Sequence, residues 1–144
     1  MNRNKLGKWV MTFVLVAGAV VSTAVDWNET HLFNPAWHPH ARFHDALFLM
    51  ILDAMSLVVL WLLWRRSTEP EIGLKVAALF AAAVWTPFFY IEALIPGTSL
   101  LASDNVPVLK VGSMTFAPNL VVAAVLFLLT LVAYGLAREG GGHA

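Results

Sequence analysis

Four long apolar runs constrain this chain more than any other feature. A bilayer's hydrocarbon core needs about 20 mostly apolar residues per helix, and residues 9–25, 45–64, 72–94 and 117–136 each approach or exceed that length. Lipid offers no water to backbone polar groups, so each run must close its own hydrogen bonds as a helix. None of the runs alternates with period two as a membrane β-barrel requires. The sequence therefore predicts an all-α polytopic membrane protein, a single four-transmembrane-helix bundle over 1–144 with loops at 26–44 and 95–116. A basic start and "STA" near residue 23 also suit a secretory signal, but the apolar stretch is long for one, so the first run is read as a span.

Charge sets the expected orientation. Arg3, Lys5, Lys8, Arg65, Arg66, Lys75 and Arg138 fall on one side, and only Arg42 and Lys110 on the other. The positive-inside rule then places both termini in the cytoplasm and the two longer loops outside. Trp9, Trp61, Trp64 and Tyr134 would mark the inner interface, and Trp27 and Trp37 the outer one. A bacterial inner (plasma) membrane is the expected location. With 59% hydrophobic residues, 12% charged residues and zero net charge, the chain has no surface for nucleic acid. It has no cysteine, which removes disulfides, thiolate metal sites and a cysteine nucleophile. No P-loop, nucleotide fingerprint or GxSxG motif supports ATP-driven transport or hydrolase chemistry.

Small residues let membrane helices approach closely. Gly18 with Ser22, and the alanines at 77, 78, 81, 82 and 83, are read as packing surface, and the "GGGHA" tail as disordered. Asp53 lies within the second run, about 12 Å from its start. An ionised carboxylate there costs roughly 2.5–3.5 kcal/mol unless paired or wet, so Asp53, with Ser56 on its face, should turn toward the bundle interior. Glu92 is expected at the wet end of the third run, where Pro87 should kink or loosen the helix beside Trp85, Phe88, Phe89 and Tyr90.

Four of the five histidines fall within fourteen positions, in "HLFNPAWHPHARFH". If Pro39 opens a helix, His40 and His44 are four apart on one face, a spacing at which two imidazoles can share a metal. Arg42 and Asp45 are then neighbours able to pair, to hold a propionate or to orient a histidine. Upstream, Asp26 and Glu29 fit a capping-box-like turn. Three readings stay open: zinc or copper held by some of His31, His38, His40 and His44; a haem with one axial histidine; and a hydrogen-bonded loop cap without ligand.

The stretch "WHPHARFHDALFLM" resembles the start of the second helix in bacterial styrene oxide isomerases, small four-span proteins that bind haem b and convert epoxides to aldehydes. The resemblance implies His44 as axial ligand, with Arg42 and His40 beside the cofactor. The third run's Trp85 and "FFY" look similar too, which implies Tyr90 as the residue that polarises a lipophilic substrate. The family has an asparagine where this chain has Met50, and Asp53 and Asn119 are the possible substitutes. The string "DWNETHLFNPAWHPHARFH" also looks like the signature of a broad group of small, uncharacterised four-span proteins, which implies a fold and no activity. Two further classes compete: an accessory subunit of a larger membrane complex, without cofactor; and a proton or metal handler built on Asp53 and the histidines. A homo-oligomer is also expected, because a haem edge could lie between protomers.

Overall fold

The computed structural model describes residues 2–101 and 106–139. Helix α1 runs Arg3–Asp26, α2 Pro39–Trp64, α3 Pro70–Trp85 and α5 Pro118–Glu139. All four spans, with the third read as Pro70–Phe89, are long and apolar enough to cross a membrane. The protein is an integral-membrane four-helix bundle. The "GGGHA" tail lies outside the described residues.

The third span is not one helix. Pro87 lacks the N–H that would continue the ladder, and the chain passes after Trp85 into a 3₁₀ turn, Thr86–Phe89, then a single α turn, α4, Ile91–Leu94. The long loop beyond it carries an element that hydropathy did not announce, a hairpin of β1 Leu109–Val111 and β2 Met114–Phe116. Val111 pairs with Met114, so Gly112 and Ser113 form a two-residue turn, with Gly112 at φ 61°. A positive φ at the first turn position is what a type II′ hairpin asks of glycine.

The helices form a ring in the order α2, α1, α5, α3, with α1 also touching α3 across the diagonal. Two glycines make the close approaches. A Cβ on Gly7 would lie 2.5 Å from Ala137 N and 2.6 Å from Ala133 O, so α1 rests on the backbone of α5. A Cβ on Gly73 would strike the Leu62 carbonyl, which brings α3 against α2. Gly18 serves a different purpose from the helix–helix seam expected of it: it leaves room for the Trp85 ring, 3.0 Å from where its Cβ would stand. Met11, Val14, Leu15, Val59, Leu63, Leu74, Ala77, Ala81 and Trp85 fill the interior with Ala123, Leu126, Ala133 and Ala137. The buried Thr130 hydroxyl donates back to Leu126 O at 2.8 Å, as a threonine inside a membrane helix commonly does.

The ends of the bundle are staggered. Thr23 Oγ1 donates to Asp53, and Trp64 Nε1 donates to Thr12 Oγ1 at 2.8 Å, so α1 and α2 run antiparallel in a fixed register. In that register Asp26 stands level with about Met50, and α2 projects roughly 16 Å past the end of α1. At the other end α1 overshoots α2 and is tied to α5 by Asn4 Nδ2 donating to Ala137 O at 2.9 Å.

Candidate functional site

The projecting turns of α2 carry "PHARFHD", and the chain leaving α1 folds back along them as a strap, residues 27–38. Its turns are built from short polar side chains, which bond locally to the backbone in place of a ladder. The Asp26 carbonyl accepts from Asn28 N at 2.9 Å and Leu32 N at 3.0 Å. Asn28 Oδ1 accepts from Thr30 N and Thr30 Oγ1 at 2.7 and 2.6 Å. Asn34 Oδ1 accepts from Ala36 N at 2.9 Å. Leu32 is buried, which anchors the strap, and Trp27 meets Phe33 edge-on at 5.9 Å. The Asp26–Glu29 turn thus closes the end of α1 and does not cap the start of a helix. Asp26 contributes its carbonyl, while Glu29 is exposed.

The titratable residues divide into two groups. His31 belongs to the strap. Its Nδ1 lies 2.8 Å from Thr30 Oγ1, its Nε2 lies 3.8 Å from Asp26 Oδ1, and its ring meets Trp37 edge-on at 5.8 Å. Asp45, on α2, interacts electrostatically with both His31 and Asp26. Arg42 reaches across and donates from Nη2 to Asn34 O at 2.6 Å. The expected Arg42–Asp45 pairing does not form among the described residues: Arg42 Nε and Asp45 Oδ2 are both buried without a hydrogen-bond partner. His38 is the N-cap of α2, its Nδ1 accepting from His40 N at 3.2 Å, with Pro39 in the first turn.

His40 and His44 form the second group. Both are exposed, on adjacent turns of α2, with Nε2 atoms 3.0 Å apart and rings crossing at 79°. Phe43 stacks on His40 at 6.0 Å and meets His44 edge-on at 5.5 Å, which limits how far either ring can swing. The structure therefore brings two of the four candidate metal ligands together and spends the other two on the strap and the cap. Among the described residues no group of three or more His, Asp or Glu side chains gathers as metal ligands.

The remaining candidates stand apart from this pair. Asp53 is half-buried and accepts from Thr23 Oγ1 at 3.3 and 3.5 Å. Tyr90 is half-exposed where the 3₁₀ turn meets α4. Glu92 Oε1 accepts from Leu100 N at 2.6 Å and Asn119 Nδ2 donates to Leu100 O at 2.7 Å, so both pin the loop after α4. Met50 faces outward. No hydrogen bond or ring contact among the described residues joins Tyr90, Asp53 and His44. An axial bond to haem iron would need His44 Nε2, the nitrogen engaged here with His40.

A family model covers residues 10–141, and its description is a family of unknown function (DUF6640). The chain belongs to that family. The match takes in the first span from Val10 onward, the whole strap and the other three spans. No curated protein and no solved structure matches the chain.

Proposed function

We propose that this DUF6640 protein binds a divalent d-block metal ion at the outer membrane–water boundary through His40 and His44. The observation that carries this reading is the 3.0 Å separation of their Nε2 atoms. Two nitrogens each about 2.1 Å from one ion and that far apart subtend about 90° at it. That is the angle of square-planar or octahedral coordination, which Cu²⁺ and Ni²⁺ favour, and tighter than the tetrahedral angle of zinc. The ring now donating its Nε2 proton would carry that proton on Nδ1 instead, leaving both Nε2 lone pairs for the ion. Measured about 30 Å up from the Trp9–Trp64 aromatic pair, the hydrocarbon ends near residues 44–47 of α2. The two imidazoles thus stand in the headgroup layer, where water or lipid phosphate can fill the other coordination positions.

The test uses untagged protein in detergent, titrated with Cu²⁺, Ni²⁺ and Zn²⁺ by calorimetry, with an absorption spectrum of the oxidised and reduced sample. One Cu²⁺ per chain, bound more tightly than Zn²⁺ and lost in both His40→Ala and His44→Ala, is the expected result. Binding that survives the double substitution sinks the reading. A Soret band lost in His44→Ala would replace it with the haem enzyme that the isomerase resemblance implies.

A further inference from the structure

The opposite end of the bundle holds a cleft of about 410 Å³ between the start of α1, the α2–α3 loop, the start of α3 and the end of α5. Lys8, Lys75 and Arg138 line it together with Glu69 and Glu71. Glu71 and Lys75 satisfy each other at 3.2 Å. That leaves two cations and one carboxylate without an ion-pair partner among the described residues. Lys8 has only the face of Trp64, 5.9 Å from its Nζ. Arg138 has no partner in the described structure. Glu69 sits at the N-cap of α3 but makes no side-chain capping bond. Pro70 has no N–H and Ile72 N donates to Glu69 O at 3.2 Å, so the positive end of the α3 dipole adds only a modest charge beside the cations.

Height decides what such a cleft meets. Lys8 is adjacent in sequence to Trp9, and Trp9 and Trp64 pack at 4.9 Å as an interfacial pair. The cleft is therefore level with the headgroups of one leaflet, the cytoplasmic one on the orientation expected from charge. Two unpaired cations beside one unpaired carboxylate complement a group that carries phosphate and ammonium a few ångströms apart. We infer that this cleft binds the phosphoethanolamine headgroup of a membrane lipid, the phosphate on Lys8 and Arg138 and the ammonium on Glu69. An anionic lipid without an amine would leave Glu69 facing negative charge. A choline headgroup offers Glu69 no N–H to donate.

Native mass spectrometry of the full chain, titrated with phosphatidylethanolamine, phosphatidylcholine and phosphatidylglycerol of one acyl composition, tests this. The ethanolamine lipid should bind roughly three- to tenfold more tightly than the choline lipid, the scale of one exposed charge-assisted hydrogen bond. Glu69→Gln, an exposed and conservative change, should erase that preference, and Arg138→Ala should weaken the ethanolamine and glycerol lipids alike. Equal binding of ethanolamine and choline lipids, or a preference that survives Glu69→Gln, overturns the proposal. So does tightest binding by phosphatidylglycerol, which would make the cleft an anion site. None of these outcomes depends on His40 or His44.

Discussion

Single side chains hold the histidine-bearing end together, and they differ in what their loss should cost. Arg42 joins strap to helix through one charge-assisted bond to Asn34 O. Arg42→Ala should lower stability by about 1–2 kcal/mol, the value of such a bond with its acceptor left unpaired. Unfolding in mixed detergent measures the loss, and hydrogen exchange should rise first in residues 27–38. Thr23→Val removes a longer, weaker bond to Asp53 and should cost less than about 1 kcal/mol in the same assay. The His40–His44 spacing was legible in the sequence because i and i+4 meet on any helix. The tasks of His31 and His38 were not. They depend on where Asp26, Thr30 and Trp37 come to lie once the strap has turned back, and no local period encodes that.

Among the elements, close helix approach is concentrated at particular glycines, and these separate by what a methyl group would meet. Gly7→Ala drives a Cβ into the backbone of α5 and should destabilise by roughly 1–3 kcal/mol, the usual cost of overpacking. Gly135→Ala, on α5 itself, meets nothing within 4 Å and should be neutral or stabilising by up to about 1 kcal/mol. Comparing the two variants by thermal unfolding isolates the α1–α5 seam from helix propensity. Hydropathy located all four spans to within a few residues in most places. It placed the second one late because Pro39 to His44 are polar and helical at once. It passed over Gly7, which lies before the apolar run among Asn4, Lys5 and Lys8. The hairpin escaped because three-residue strands around Gly112 leave almost no alternation to read.

At the scale of the whole molecule the prediction concerns sidedness. The chain lacks cysteine, so a single cysteine at Glu29 should react with an impermeant thiol reagent on intact cells, and one at Thr68 only after permeabilisation. The reverse pattern would invert the orientation and move the lipid cleft to the outer leaflet. A further consequence follows from Trp85. Its ring, seated on Gly18, joins α1 to α3 across the centre of the four-helix ring, and the levels below it are filled by Met11, Val14, Leu15, Val59 and Leu63. An ion moving along that axis would meet a plug of aromatic and aliphatic carbon with no carboxylate or imidazole to replace its water. The interior of the bundle thus offers an ion no ligands along its axis, and a metal bound at the site proposed at His40 and His44 would exchange with the side of the membrane that site faces.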